Sequence, residues 1–166
     1  MMSSVMLLSI IMKRLTVVVA VLAMVSLAEG KNVCDLHLSQ IKTIPFKGNA
    51  GVDPHYDALK AAEESAVPCL IANVTNTRPK PDPRPIPGWG TMRMTVGDRA
   101  VYMLGEITGV DTIKMLPRKY RDLYKEIGVY ARDEYLHDHL NNRRILQRKL
   151  WQWYRTTYLP LRRAAT

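Results

Sequence analysis

The amino-acid sequence predicts an all-α protein, a small bundle of stacked helical hairpins with a proline-rich loop inserted between them. Apolar or small side chains recur at helical spacing in two consecutive segments, first Tyr56, Leu59, Ala62 and Ala66, then Val67, Leu70, Ile71 and Val74. A third segment repeats the pattern with Val96, Ala100, Met103, Leu104 and Ile107. Because such short helices cannot bury an apolar stripe alone, we expect them to stack against one another.

Residues 1–28 have the pattern of a secretory signal peptide. Lys13 and Arg14 precede an uncharged apolar run from Leu15 to Leu27, and small residues near its end suit cleavage after Ala28. The run has 13 residues, fewer than the roughly 20 that a spanning helix needs.

The position of the true start codon affects how this segment is interpreted. Met1 and Met12 are both possible starts, and an uncleaved anchor made of the two apolar runs is the alternative. The residues before Cys34 lack a lipidation context. We therefore expect a soluble protein secreted across the inner membrane of a bacterial cell into the periplasm.

The mature chain has the size of one domain. Cleavage leaves 138 residues, which we divide into a helical domain at 29–160 and a basic tail at 161–166. Cys34 and Cys69 are expected to pair in an oxidising compartment, with two buried free thiols as the alternative. Chain entropy gives such a bridge a stabilisation on the order of 3 to 4 kcal/mol.

Cap residues predict the first two helices. Residues 31–52 read as a short helix or an extended arm that leads into a turn. Asp53 can accept backbone hydrogen bonds as an N-cap, and Pro54 suits the first helical position. Ser65 and Pro68 mark the start of the second helix in the same way.

The segment from Arg78 to Gly90 is predicted to be extended. Five prolines alternate strictly in it, at positions 79, 81, 83, 85 and 87, and they exclude a helix or a central strand. The segment is either a rigid connection or a contact loop. In the second case Trp89, between two glycines, would be its anchor.

Thr95 and Asp98 predict a capping box at the start of the third helix. Gly109 is its expected C-terminal stop. Gly105 lies inside the helix at a cost of about 1 kcal/mol relative to alanine, and we expect close packing against a neighbouring helix to explain it.

The second half of the chain predicts further helices. Pro117 opens a fourth helix, whose apolar stripe is Tyr120, Leu123, Tyr124 and Ile127. One long helix and two shorter ones are both compatible with the pattern beyond Gly128. Asn141 or Asn142 is the expected break and cap before the last helix, and Pro160 is its expected end.

Part of this pattern resembles a known helical repeat. The runs ALKAAEESAVPCLIANVTNT and TVGDRAVYMLGEITG, from about residue 53 to 109, resemble a HEAT-like repeat, with an insertion at 78–94 that is longer than the usual turn. The resemblance implies a scaffold or protein-binding surface rather than a catalyst.

Catalytic and metal-binding motifs are sparse. Glu134 and His137 share a helix face at the spacing of carboxylate-bridged metal sites, but such sites need a second Glu-x-x-His. We expect Asp133, Glu134, His137, Asp138 and His139 to form a solvated polar face. His37 and His55 have no spacing that proposes a ligand set. No phosphate loop, nucleophile elbow or zinc-protease motif occurs, so we expect no cofactor, no resident metal and no enzyme activity.

Positive charge is concentrated at the C-terminal end. Acidic and basic residues balance from Glu29 to Leu140, whereas Asn141 to Thr166 contains seven Arg or Lys and no acid. On the last helix one face is basic and carries an indole, with Arg144, Arg148, Trp151 and Arg155. This face has three interpretations: a solvated surface, a docking site for an acidic protein, or contact with an anionic polymer or membrane.

Together these features predict a non-enzymatic exported module that binds another protein. An immunity or inhibitor protein and an accessory subunit of an envelope assembly both fit this description. The candidate partner-binding residues are Trp89, Arg144, Arg148, Trp151 and Arg155, and nucleic acid is disfavoured by the export signal. The alternative is an envelope hydrolase or metal-dependent enzyme that uses the Glu134 and His137 region.

Overall fold

The structure is a computed structural model that describes residue 34 and residues 36–44, 53–80, 85–86, 90–91 and 94–165. The predicted signal peptide and Trp89 lie outside the described residues. The predicted all-α class is confirmed. Seven α-helices have described bounds: α1 (Pro54–Ala61), α2 (Val67–Asn73), α3 (Val96–Thr108), α4 (Arg118–Ile127), α5 (Tyr130–Asp138), α6 (Leu140–Trp153) and α7 (Leu159–Ala165). Cys34 and residues 36–38 are helical as well.

Short irregular elements join the helices. Two 3₁₀ turns, Glu63–Ala66 and Thr112–Met115, precede α2 and α4, and a π-helical turn at Tyr154–Tyr158 joins α6 to α7. In the proline-rich segment, β1 (Pro85–Ile86) and β2 (Gly90–Thr91) form an antiparallel ladder of two residues each. The base of this segment is closed because Lys80 N–H donates to Met94 O at 2.7 Å and Val96 N–H donates to Arg78 O at 3.0 Å.

The predicted caps of α1 and α3 are confirmed. Asp53 accepts from the backbone of His55 and Tyr56 at the start of α1. Thr95 and Asp98 form the capping box of α3, and Gly109 ends that helix in the left-handed conformation at φ 69°.

Gly105 does not have the predicted role in packing. A Cβ at this position would meet nothing closer than Val110 O, at 3.8 Å. Gly97 is the closely packed glycine of α3, since a Cβ there would lie 2.4 Å from Val74 O and 2.9 Å from Asn76 O. The backbone at the C-cap of α2 and just beyond it therefore approaches α3 at Gly97.

The last helices differ from the prediction at two points. The break precedes α6 at His139, not at Asn141 or Asn142, because the His139 side chain accepts from Asn141 N–H as the N-cap. The expected end at Pro160 is also wrong. The π-helical turn lets the chain start a new helical segment at Leu159, and Pro160 falls in its first turn, where a missing N–H costs little. The expected loose tail from Leu161 is thus helical to Ala165.

The hydrophobic core surrounds α3. Helix α3 packs on α1 and α2, and α2 also contacts α6. The largest fully buried apolar side chains are Leu38, Ile41, Ile44, Leu59, Leu70, Ile71, Met103, Leu104, Leu136, Leu146 and Leu150.

The predicted bridge between Cys34 and Cys69 is present, with a Cα–Cα distance of 6.0 Å. It attaches the N-terminal segment to α2. Disulfides persist in oxidising compartments, so the bridge agrees with an extracytoplasmic location. Within the described ranges, no helix has the length and apolar character required to cross a membrane.

Candidate functional site

A buried ion pair fixes helix α6 on the core. Arg143 Nη2 donates to Asp98 Oδ1 at 2.7 Å, and Arg143 Nη1 donates to Val74 O at 3.3 Å. Asp98 is 1% exposed and Arg143 is 3% exposed. Since a buried charge without its partner is costly, this pair strongly restrains α6 relative to α3.

The same face of α6 makes further contacts with α2. Leu146 and Leu150 are buried in the core. The Gln147 side-chain amide donates to Ile71 O at 3.0 Å and to Ala72 O at 2.9 Å, two carbonyls in the last turn of α2. Ile71 O also accepts from Val74 N–H at 3.3 Å. These contacts determine which side of α6 faces solvent.

The predicted basic face runs along the solvent side of α6 and into the π-helical turn that follows it, where Arg155 lies. Arg144, Arg148 and Arg155 are exposed, and Trp151 is half-buried. The Arg155 guanidinium lies 6.0 Å from the centroid of the Trp151 ring, in cation–π contact. Among the described residues, no carboxylate forms an ion pair with any of these three arginines.

Aromatic rings of α6 and of the π-helical turn contact one another next to this face. Trp151 contacts Tyr154 with ring centroids 5.9 Å apart, Tyr154 stacks on Tyr158 at 5.9 Å, and Trp153 contacts Tyr158 at 5.2 Å. Burial, followed by the negative charge of Glu64, raises the pKa of both Tyr154 and Tyr158. The phenols are therefore neutral at physiological pH, and the face keeps its positive charge.

A pocket of about 250 Å³ lies where the π-helical turn and α7 cross the end of α1. Arg162 pairs with Glu64 at 3.0 Å, and Lys60 approaches Glu106 at 3.8 Å. Glu63, also at the pocket, has a φ of 46°, which is uncommon for a residue other than glycine. The lining residues are Lys60, Glu63, Glu64, Glu106, Ile107, Tyr158 and Arg162.

The Glu134 and His137 region is not assembled as a metal site among the described residues. His137 Nε2 lies 3.2 Å from Asp98 Oδ2, whereas Glu134 is exposed. No group of three or more possible ligand side chains occurs in the described ranges. Burial raises the pKa of Asp133, although its side chain remains 26% exposed and Arg132 lies nearby.

The remaining two histidines form a pair that sequence spacing did not propose. His37 Nδ1 and His55 Nδ1 lie 2.9 Å apart, although 18 positions separate them in the chain. The Asp98–Arg143 pair was also missed. Arg143 lies three and seven positions before Leu146 and Leu150, so its place on the apolar stripe of α6 was a signal for burial.

Comparison with known proteins identifies no relative of this chain. No protein-family model matches it, and neither the curated proteins nor the solved structures contain a significant match.

Proposed function

We propose that this chain is a non-enzymatic, exported module that binds an acidic protein through the basic face of α6. The observation that carries the proposal is the row of Arg144, Arg148 and Arg155 around Trp151, which has no carboxylate partner among the described residues. Arginine and tryptophan are enriched among the residues that dominate binding energy at interfaces.

The rigidity of the opposite face supports the same conclusion. Asp98, Arg143 and Gln147 hold α6 in one orientation, so a partner does not have to order the helix that carries the basic face. Preorganisation reduces the entropic cost of binding. Unpaired surface arginines also accelerate the encounter with a negatively charged partner.

Within this proposal, the module is an immunity or inhibitor protein, or an accessory subunit of a bacterial envelope assembly, and it acts in the periplasm. The disulfide supports an oxidising location. The HEAT-like resemblance of residues 53–109 favours a binding scaffold and stays a prediction. The hydrolase alternative is less favoured, because His137 Nε2 lies 3.2 Å from Asp98 Oδ2 and the Glu134 side chain is exposed.

Charge reversal on α6 tests the proposal. The full chain, exported with its disulfide intact, serves as bait in an extract of the cell envelope, and the captured protein is then purified and titrated directly. We expect Arg148→Glu to weaken its binding at least about tenfold, the loss of one strong interface contact. Added salt should weaken the parent complex as well.

Two controls make this result specific. Arg121→Glu makes the same charge change at an exposed position of α4 and should leave binding within twofold. Trp89→Ala tests the proline-rich loop independently. Equal binding by Arg148→Glu and the parent would refute the basic face as the docking surface. Binding of the parent to anionic vesicles with the same dependence on Arg148 would instead assign the face to a membrane.

A further inference from the structure

The hydrogen-bonded His37 and His55 pair brings two imidazole nitrogens within reach of one metal ion. Their Nδ1 atoms are 2.9 Å apart, the ring centroids are 5.2 Å apart and the ring planes are inclined by 42°. Both side chains are half-buried. A neutral imidazole has one N–H and one lone pair, so one ring donates from Nδ1 and the other accepts.

The backbones that carry the two rings are joined by one carboxylate. Asp53 Oδ1 accepts from His55 N–H at 3.0 Å and from Tyr56 N–H at 3.3 Å. Asp53 Oδ2 accepts from Lys42 N–H at 2.7 Å and from Thr43 N–H at 3.1 Å, shortly after His37 in the chain. The pair is therefore positioned by the start of α1 on one side and by the segment after His37 on the other.

The disulfide adds a second restraint to the same segment. Cys34 lies three positions before His37 and is bonded to Cys69 of α2. The backbone carbonyl of His37 accepts from Gln40 N–H at 2.8 Å and from Ile41 N–H at 3.1 Å. Ligands held in this way require little reorganisation when an ion binds.

We infer that His37 and His55 bind a divalent copper ion through their Nδ1 atoms. Two nitrogens at right angles, each about 2.0 Å from a metal, are about 2.8 Å apart, whereas a tetrahedral angle places them about 3.3 Å apart. The observed 2.9 Å is the separation of a hydrogen bond between the rings, and it lies within about 0.4 Å of both values, so a small movement of the rings accommodates one ion. Of the divalent ions of the first transition row, copper binds nitrogen ligands most tightly.

Binding replaces the hydrogen bond between the rings by two metal–nitrogen bonds. The ring that donates from Nδ1 takes up the tautomer with its proton on Nε2, so both Nδ1 lone pairs become available and no electron is transferred. Two water ligands of the ion leave. No third ligand side chain completes the group within the described ranges, so water or an external ligand occupies the other positions.

Titration of the purified full chain with copper sulfate, after removal of metal with a chelator, tests this inference. We expect one Cu²⁺ per chain and electron paramagnetic resonance hyperfine structure from two imidazole nitrogens. Hyperfine structure from one nitrogen or none would overturn the assignment without the need for a variant. Tighter binding of Zn²⁺ than of Cu²⁺ would overturn the assignment to copper.

Asparagine variants locate the site among the four histidines of the chain. His37→Asn and His55→Asn should each weaken copper binding by more than tenfold, since even loss of an outer partner of a ligand costs about 10- to 100-fold. The matched control is His139→Asn, which removes an exposed imidazole and keeps an N-cap acceptor on α6. Unchanged affinity in both site variants, or the same loss in the control, would refute the site.

Copper should also raise the urea concentration at the midpoint of unfolding for the parent and for His139→Asn, but not for His37→Asn or His55→Asn. This readout is independent of the partner proposed for α6. A failure to bind copper would therefore not contradict the proposed docking role of the basic face. Likewise, a failure to capture a partner would not contradict the proposed copper site.

Discussion

Two glycines of α3 are expected to respond to the same substitution with opposite signs. At Gly97 an added Cβ would lie 2.4 Å from Val74 O, 2.8 Å from Arg143 Nη1 and 2.9 Å from Asn76 O. At Gly105 the nearest atom would be 3.8 Å away. Alanine should therefore destabilise the protein at the first position and stabilise it at the second.

The magnitude at Gly97 follows from the contacts. Because Cβ atoms essentially never approach an oxygen closer than 3.0 Å, α2 and α3 must separate by at least 0.6 Å. This strain costs about 1–3 kcal/mol, and the Gly97 N–H to Asn76 O bond of 2.8 Å weakens with it, at about 1 kcal/mol. The higher helix propensity of alanine offsets up to about 1 kcal/mol of this loss. The net loss in the free energy of unfolding is then about 1–3 kcal/mol.

Equilibrium unfolding in urea, without reductant, measures both effects. With slopes of about 1–3 kcal/mol per molar, Gly97→Ala should lower the midpoint by about 1 M. Gly105→Ala should raise the free energy of unfolding by about 0.5–1 kcal/mol. A midpoint for Gly97→Ala equal to that of the parent would refute the close approach of α2 and α3, and with it the described placement of Arg143.

Three further substitutions test the interior. Arg143→Met should lower the free energy of unfolding by about 3–5 kcal/mol in chemical denaturation, because the buried Asp98 carboxylate loses its guanidinium partner and keeps only its contacts with Thr95 and His137; a loss below about 1 kcal/mol would show that the pair is hydrated. Replacing Cys34 and Cys69 by serine opens a loop of 35 residues and should cost about 4 kcal/mol, measured as the midpoint difference from the oxidised parent. Burial raises the pKa of Asp53, but four backbone N–H groups outweigh it and hold the pKa below 3.8. Its stabilisation is thus present above about pH 4 and is lost as the pH falls through the lower folded value, so Asp53→Asn should have a flatter profile of midpoint against pH there.

Local rules predicted the helix starts better than the long-range contacts. Asp53 and the Thr95–Asp98 box were identified from sequence because a cap acts within three or four residues. Gly109 followed from the conformational freedom of glycine at a helix end. The helical class needed only the spacing of apolar residues.

What the sequence did not predict depends on distant partners. His37 and His55 meet across 18 positions, and Asp98 meets Arg143 across 45. No local sequence pattern predicts that either pair of side chains will be in contact. Gly97 and Gly105 look alike in sequence, but only the path of α2 shows which of them is confined.

The candidate site was predictable in part for the same reason. Helical spacing placed Arg144, Arg148, Trp151 and Arg155 on one face, and the exposure of the three arginines agrees with it. The contribution of Arg143 to total surface charge was overestimated, because that side chain is in the core. The contact role of Trp89 stays a prediction.

The π-helical turn at Tyr154–Tyr158 has a consequence for how the end of the chain tolerates changes in length. A π turn accommodates one extra residue, so everything after it is rotated by about 100° from a continuous α-helix. With this rotation, the Arg162 side chain forms its ion pair with Glu64. Deletion of a single residue within the turn would restore an uninterrupted α-helix and turn Arg162 away from the pocket. Pro160 would then lie inside that helix, where its missing N–H would leave a backbone carbonyl without a hydrogen bond. Over evolution, this stretch should accept side-chain replacements more readily than single-residue insertions or deletions.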